Sequence, residues 1–492
     1  MSQEEEEEEN EPATPIARLM QAPAFNFCII AVMGFRSTID LDLFKQELGR
    51  SLLRHARFTS VLIVDKSSRD KFSWRRTKVD IENHVFALDL DPNMESPDEF
   101  VEHFTSEIMK IPMVDMSARP AWEFHVLNVK TSEANSIVVL KMHHSIGDAV
   151  SLMSLLMTCA EKITTNCGGS LPILPSEKRQ STSSYYNTGR MVMKTMFVKV
   201  WIAIVMVFNT FTGLMRAFAT LAFLKDEKIP INRERGKENS SKRFVHRIVD
   251  FDDIKLVKTA MNATVNDVGT GVVQAGLTRY LNIRYGQCCR GQNPTYAQMN
   301  NFLPKSLRLT SVVCFNLRPY AIIEDLSDIM EDEKQLRGKW GNKIGGALVP
   351  LDIVVEDDPL AYVIRAKAVM DQKKLSFEPQ CMPIMSKLFI KLFGIKAASS
   401  ILNRISLNTT LFLSNVMGPR EEITPFGHPL CYIAPIVSGF SQVLFITFQS
   451  YANKFIISIA ADENLVPNPH QLCDDMLQSL QDMKNYVQNR AL

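Results

Sequence analysis

Two different spacings of apolar residues run along the chain, and together they indicate a mixed α/β protein. Short apolar runs predict strands, and longer stretches in which apolar residues recur every three or four positions predict helices. Asp40 suits the N-cap of one such helix. The predicted helices cover 41–55, 252–261, 265–281 and 469–487. The predicted strands cover 25–34, 60–64, 85–88, 136–142, 244–250, 309–317, 348–355, 410–416, 443–449 and 455–459.

Strands and helices alternate in both halves of the chain, which predicts two related α/β domains with a cleft between them. A chain of 492 residues is too long for one compact core, and domains of roughly 200 residues are expected. Stretches rich in Ser, Thr, Pro, Gly or charge separate the halves. These patterns place a disordered tail at 1–14, an N-terminal domain at 15–165, a linker at 166–242 and a C-terminal domain at 243–490.

The linker carries an apolar segment at about 196–224. Val200 to Met215 is a run of 16 residues without a charge, whereas a helix needs roughly 20 to cross a bilayer. Extension to Leu224 includes Arg216, which costs roughly 2.5–3.5 kcal/mol inside a span unless it snorkels. A tilted span, a helix in the membrane interface and a buried linker helix all remain open.

A second stretch, 386–396, mixes Leu and Phe with Lys387, Lys391 and Lys396. This is the pattern of a basic amphipathic helix at a lipid surface. An ordinary amphipathic helix packed on the core would show the same pattern.

Composition excludes several classes of protein. A net charge of +1 gives no electrostatic case for nucleic acid. Glu4–Glu9 is an unbroken run of six carboxylates, which predicts disorder and is incompatible with a signal peptide. The nine cysteines include an adjacent pair, Cys288 and Cys289, but no CxxC. We therefore expect reduced thiols and a chain that starts in the cytosol.

The strongest chemical signal is the stretch His143-His144-Ser-Ile-Gly-Asp148-Ala149, which follows an apolar strand and precedes an apolar helix. A histidine that accepts a proton near neutral pH, supported by an aspartate, is the minimum equipment for general-base catalysis. A metal site would need further ligands at matching spacing, and none is present. A purely structural reading stays open, in which the histidines are turn residues and Asp148 is a helix N-cap.

Four further motifs are each similar to a sequence element that accompanies the His-His motif in one family. Pro120-Ala-Trp-Glu123 is similar to a PLW element, Asn266-Asp-Val268 to the start of NDVVLA, Ser414-Asn-Val-Met-Gly-Pro419 to SNVPGP, and Gly341-Asn-Lys-Ile-Gly345 to a GN turn. With these motifs in their order along the chain, the sequence resembles the plant wax ester synthase/diacylglycerol acyltransferase family of HHxxxDG acyltransferases. The His motif alone is shared with condensation domains and BAHD acyltransferases, but the BAHD element DFGWG is missing. Ala121, Ala149 and Met417 depart from the family pattern.

The resemblance implies two chloramphenicol-acetyltransferase-like domains and an O-acyltransferase that joins a long-chain acyl-CoA to a fatty alcohol, with diacylglycerol as a second or main acceptor. It implies His144 as general base, His143 as support and Asp148 as an orienting or structural residue. Asn266, Ser414 and Asn415 become candidates to bind the oxyanion or position substrate. No metal or other cofactor is expected, since acyl-CoA is a substrate.

Lipophilic substrates imply contact with membrane lipid, and we expect the endoplasmic reticulum membrane with a cytosol-facing active site, or the plasma membrane. Two rival functions stay open: a catalytically weak relative that binds lipid or acyl-CoA, and an acyltransferase that uses a soluble hydroxyl or amine acceptor.

Overall fold

The computed structural model describes residues 11–22, 25–64, 72–91, 93–113, 117–161, 188–227, 229–231, 241–290, 301–305, 307–318 and 339–491. The acidic run 4–9, much of the predicted linker and the side chains of Cys288 and Cys289 lie outside these residues.

The elements follow one another in the alternating order that the apolar pattern predicted. The strands are β1 Glu11–Pro12, β2 Cys28–Phe35, β3 Ser60–Val64, β4 Phe72–Arg76, β5 Val85–Ala87, β6 Trp122–Leu127, β7 Ser136–His143, β8 Ala160–Glu161, β9 Lys242–Asp250, β10 Leu307–Asn316, β11 Ile344–Ile353, β12 Leu411–Val416, β13 Thr424–Pro425, β14 Leu430–Ser438, β15 Leu444–Tyr451 and β16 Lys454–Asp462. The helices are α1 Pro15–Leu19, α2 Leu41–Arg50, α3 Pro97–Lys110, α4 Ala149–Thr158, α5 Thr188–Ala222, α6 Phe251–Ala260, α7 Val265–Arg290, α8 Ala361–Lys374, α9 Glu378–Asn408 and α10 Pro469–Ala491.

The first half is built on a mixed sheet whose described strands lie in the order β14-β2-β7-β6-β5. β2 is buried over its whole length, and β7 is buried except at Leu140. This burial explains their continuous apolar runs, which are typical of strands covered on both faces. β7 is antiparallel to both of its neighbours and ends at His143.

The second half is built on a six-stranded sheet in the order β11-β10-β12-β15-β16-β9, as far as the described strands go. The helix α7 is backed by α8 and α10 and forms much of the second core with them. Two sheet-bearing α/β halves are therefore confirmed.

Several elements were not predicted from the sequence: the strands β1, β4, β6, β8 and β13 and the helices α1, α3 and α8. A further unpredicted strand, β14, joins the halves. β14 comes from the second half of the chain, yet it pairs antiparallel with β2 along the edge of the first sheet. The strand contains Pro435, which lacks a backbone donor and is tolerated at sheet edges but not in central strands. Its apolar run therefore did not stand out as a strand.

Several boundaries differ from the predicted ones, and two of them have a clear cause. The helix that begins after Asp40 ends at Arg50, and a short 3-10 turn at Leu52–Arg54 replaces its predicted continuation to residue 55. Order also begins earlier than residue 15, because Glu11 pairs with Trp74 across β1 and β4 and forms an ion pair with Arg57. Such long-range contacts leave no mark in local periodicity.

We predict that Gly34→Ala lowers the free energy of unfolding by about 1–3 kcal/mol, measured by chemical denaturation. A methyl group on Gly34 would overlap the buried ring of Tyr432 and lie 2.9 Å from the Ala134 methyl. Gly49→Ala is the control, because its methyl would have no neighbour within 4 Å and α2 gains a better helix former. Equal effects of the two changes would contradict the tight packing of β14 on β2.

Candidate active site

The His-His segment turns the chain from β7 into α4, as the sequence predicted. The turn starts after His143 and ends at Asp148, whose carboxylate accepts the Ser151 N–H at 3.0 Å as the N-cap of α4. The hydrogen-bonded N-cap fixes the start of the helix. The two histidines therefore sit on a short loop that is held at both ends.

His143 is fully buried, and hydrogen bonds occupy both of its ring nitrogens. Its Nε2 lies 3.1 Å from the Met20 carbonyl and donates to it, while Nδ1 accepts from the Ser145 N–H at 3.2 Å and lies 2.7 Å from the Ser145 hydroxyl. Burial, followed by the neighbouring His144, lowers the pKa of His143 to about 3. A neutral ring with both nitrogens engaged has a fixed orientation and suits a supporting role.

His144 is held by a second residue through two hydrogen bonds. The Asn342 side-chain N–H donates to the His144 carbonyl at 2.9 Å, which fixes the orientation of the amide. The Asn342 side-chain oxygen then faces His144 Nδ1 at 3.0 Å and must accept from it. The proton of the neutral ring is thus on Nδ1, and the lone pair is on Nε2.

Burial also sets the charge of His144. Desolvation lowers the pKa of His144 below its ordinary value of 6.5, against the opposing effects of its backbone, of the Asp148 charge and of Asn342. The imidazole is therefore neutral at pH 7, and its Nε2 is available to accept a proton.

Asp148 makes no hydrogen bond to His144 in the described chain and instead binds residues of the second half. Arg318, two residues beyond β10, donates to the two carboxylate oxygens at 2.7 and 2.9 Å, and the Lys343 N–H adds a bond at 2.9 Å. Both charged side chains are nearly buried. The aspartate is thus an N-cap and one partner of an inter-half ion pair.

The element Pro120–Glu123 lies directly behind the histidines. The Ala121 carbonyl accepts the His143 N–H at 2.9 Å, and Trp122 is opposite Met142 in the sheet. The Trp122 indole is fully buried and stacks on His84 with ring centroids 4.1 Å apart. These contacts explain why a motif about twenty residues upstream accompanies the His motif in sequence.

Two small residues shape the loop differently. A methyl on Gly147 would lie 3.0 Å from the Trp340 ring, whose N–H donates to the Ile146 carbonyl at 2.7 Å. Ala149, in contrast, is the first helical residue of α4 and has no positive φ. The backbone at residue 149 therefore accommodates an alanine side chain without strain.

The three remaining predicted residues come from the second half of the chain. Asn266 is in the first turn of α7, but the cap of that helix is a reciprocal pair of bonds between Thr264 and Asp267. The exposed side chain of Asn266 instead accepts a hydrogen bond from Asn415 at the end of β12. Ser414 is the neighbouring half-buried residue. In the described chain no hydrogen bond joins these three residues to His144, and their role stays a prediction.

Three residues that complete the site were not assigned from sequence. Asn342 lies in the Gly341–Gly345 turn, which had been noted only as a motif. Arg318 and Trp340 carried no local signal, because their partners are 170 and 194 residues away.

A cavity of about 80 Å³ opens beside this loop. Its lining includes Ser145, Asn342, His55, Trp74 and Trp340. Asn342 therefore lines the cavity and also holds the His144 ring. Among the described residues no three His, Cys, Asp or Glu side chains converge in a way that could hold a metal ion.

Comparison with known proteins agrees with the motifs. Residues 28–269 match the model of the wax ester synthase/diacylglycerol acyltransferase catalytic domain, and residues 340–484 match the WS/DGAT C-terminal domain. The chain belongs to this family. Wax ester synthase/diacylglycerol acyltransferase 11 of Arabidopsis thaliana is 42% identical over 98% of this chain and 96% of its own length. Wax ester synthase/diacylglycerol acyltransferase 4 of the same plant is 41% identical over 99% and 92%.

Solved structures show the same fold. The wax ester synthase/diacylglycerol acyltransferase from Marinobacter aquaeolei VT8 superposes with a TM-score of 0.56 at 17% identity, over 97% of this chain and 99% of the other. The first condensation domain of the CDA synthetase gives 0.53 at 11% identity, over 97% and 96%. The predicted architecture of two chloramphenicol-acetyltransferase-like domains is therefore confirmed for this chain.

We predict that Asp148→Ala lowers the free energy of unfolding by about 3–5 kcal/mol, because it leaves the buried Arg318 charge without its partner. Denaturant unfolding measures the change. Asp352→Ala breaks an exposed ion pair with Arg308 and should cost at most about 1 kcal/mol. An Asp148 variant as stable as the Asp352 variant would contradict the bridging role of the pair.

Proposed function

We propose that this protein is an acyl-CoA-dependent O-acyltransferase that joins a long-chain acyl group to a long-chain fatty alcohol and makes wax esters. Diacylglycerol is the second acceptor, or the main one. Family membership supports the reaction class, and the observation that carries the proposal is the neutral, buried His144 whose Nδ1 proton is assigned by Asn342. In that arrangement Nε2 carries the lone pair of a ring whose orientation is fixed, so it can act as the base.

The reaction needs one proton acceptor and no covalent enzyme intermediate. The hydroxyl oxygen of the acceptor attacks the thioester carbonyl while His144 Nε2 removes its proton. Collapse of the tetrahedral intermediate breaks the C–S bond, and the proton on Nε2 passes to the CoA sulfur. General-base catalysis of this kind contributes roughly 10²–10⁴-fold. The two substrates supply every atom of the products, so the reaction needs no further substrate and no redox cofactor, and we expect no metal.

The oxyanion of the intermediate needs hydrogen-bond donors, each worth roughly 2.7–4 kcal/mol when well placed. Asn266, Ser414 and Asn415 remain the candidates to bind the oxyanion or position substrate. The bond between the two asparagine side chains supports a joint role. In that bond the Asn415 amide is the donor, which still leaves one of its N–H groups for a ligand.

The substrates also suggest a location. Fatty alcohols and diacylglycerol partition into lipid, whereas the CoA group is highly charged and remains in water. An enzyme at the cytosolic surface of the endoplasmic reticulum, or of the plasma membrane, meets both. The long apolar helix α5 supports membrane contact.

Purified protein supplied with palmitoyl-CoA and either a fatty alcohol or diacylglycerol tests this function. We predict that His144→Ala reduces ester formation by at least roughly 10²-fold, because the alcohol loses its base. Mass analysis of the products measures the loss and the preferred acceptor. His103→Ala is the control, since it removes an exposed histidine from α3.

Each rival function has its own outcome in that experiment. Wild-type rates from a folded His144→Ala protein would contradict the general-base role. Binding of acyl-CoA without turnover of either acceptor would favour a lipid-binding relative. Turnover only with a soluble hydroxyl or amine would favour an acyltransferase with a water-soluble acceptor.

We predict that Asn342→Ala lowers kcat by roughly tenfold to a hundredfold, because the Nδ1 proton is no longer held in place. The base must be unprotonated, so activity falls as the pH drops through the pKa of His144, and the acid limb of wild type lies below 6.5. The Asn342 oxygen raises that pKa, so its removal moves the limb to lower pH. A lower rate with an unmoved acid limb would indicate only structural damage.

A further inference from the structure

The helix α5 exposes an unusual amount of apolar surface. The stretch Met196–Ala222 is long and apolar enough to cross a membrane, yet only 11% of its most apolar window is buried. Residues 196–204 are exposed on all sides of the helix. The exposed large side chains include Phe197, Val200, Trp201, Ile204, Val207, Phe208, Phe211, Met215, Phe218 and Phe223. Water is a poor environment for a continuous apolar patch of this size.

The other side of the same helix is fixed to the protein by polar contacts. The Asn209 amide donates to the Leu375 carbonyl at 2.9 Å, and Asn408 donates to the Thr220 carbonyl at 2.6 Å. Between them Gly213 packs closely on Glu378, and Arg216 reaches the Thr310 hydroxyl at 3.5 Å. Residues 209–220 therefore lie against the second half of the protein, and Arg216 faces the protein rather than lipid.

The sheet topology rules out a single crossing by α5. β2 precedes α5 in the chain and β14 follows it, yet the two strands pair along their whole length. A helix that crossed the bilayer once would place these strands on opposite sides. Among the described residues no second helix is long and apolar enough to return the chain, and the sequence between 162 and 187 contains no apolar run of that length.

The charge pattern agrees with shallow insertion. Residues 200–208, between Lys199 and the anchored Asn209, are free of charge. Nine residues extend about 13 Å along a helix, and the hydrocarbon core of a bilayer is about 30 Å thick. Residues 200–208 of α5 are therefore long enough to enter one leaflet but not to cross both. The long side chain of Lys199 can place its charge among the headgroups.

The first part of α9, residues 378–393 before the non-helical Gly394, extends this surface. It packs beside α5 and exposes Ile384, Leu388 and Leu392 at intervals of four residues. Lys387 and Lys391 form a parallel row one residue behind, and no ion pair involves either lysine in the described chain. A row of unpaired lysines beside an apolar row complements anionic headgroups above hydrocarbon.

Buried residues on both sides of the non-helical Gly394 of α9 lead from this surface to the His-His loop. Ile390, Ile395 and Ala398 form a buried cluster with Leu19 and Met20. The Met20 carbonyl accepts the hydrogen bond from His143. The lipid-facing helix and the His-His loop are thus separated by one layer of packed side chains.

We propose that α5 and the first part of α9 dock the enzyme onto one leaflet of an anionic bilayer, as a monotopic protein whose two halves stay on the same side. The purpose of this surface, which is the delivery of a lipophilic acceptor to His144, rests on the proposed function. The occupant is a lipid bilayer; a second copy of the chain or a protein partner would be a different outcome of the test.

Flotation of the full-length protein with phosphatidylcholine vesicles, with and without phosphatidylserine, tests the docking surface. Ile204→Glu and Ile384→Glu should each weaken vesicle binding by about tenfold or more. Ile364→Glu is the matched control, because Ile364 on α8 and Ile204 are both 55% exposed. Lys387→Glu with Lys391→Glu should remove the preference for anionic vesicles. The proposal would be overturned if Ile204→Glu and Ile384→Glu bound vesicles as wild type does. It would also be overturned if the surface bound a protein partner or a second chain in place of vesicles.

Protease treatment of sealed microsomes tests the topology, with one epitope tag at each end of the chain. Both tags should be digested while a lumenal marker survives. Protection of one tag would show a crossing and overturn the monotopic arrangement.

An ester assay in detergent separates this proposal from the proposed function. Ile204→Glu should keep the detergent activity of wild type and lose activity on vesicles. A wild-type protein that binds vesicles through this surface but forms no ester with any acceptor would refute the function and leave the docking surface standing.

Discussion

The buried ion pair between Asp148 and Arg318 is the constraint on which the site depends. Its cost of desolvation is met by a bidentate geometry and by further bonds to Ser151, Lys343 and the Gly341 carbonyl. Because the two charges come from different halves of the chain, they hold the His-His loop against the turn that carries Asn342. The tautomer of His144 is therefore a property of the interface between the halves, and neither half fixes it by itself.

Burial has opposite consequences for the two histidines. His143 uses both nitrogens within the protein and becomes a structural element of the loop. His144 is equally desolvated, but only Nδ1 has a partner, so the same low dielectric that keeps it neutral leaves it ready to accept a proton. Sequence adjacency thus hides a division of labour that follows from which nitrogen each environment satisfies.

Local pattern predicted most strands and helices and the position of the His-His turn, because continuous burial and helical spacing are properties of neighbouring residues. The reading in which Asp148 caps a helix was left open by the sequence, and the structure shows this cap. Local pattern did not predict Arg318, Asn342 or β14, since each acts through a partner far along the chain. Pro435 within β14 further disguised a strand that its edge position permits.

The pairing of β14 with β2 also bears on how the protein is made. The Ser438 hydroxyl reaches the Cys28 carbonyl across 410 residues of chain. Until β14 has been synthesised, the first sheet therefore keeps an open apolar edge at β2. An exposed edge of this kind recruits other strands, and contacts so distant in sequence form late. Completion of the first sheet thus waits for the last part of the chain, and β2 is open to pairing with other strands until then.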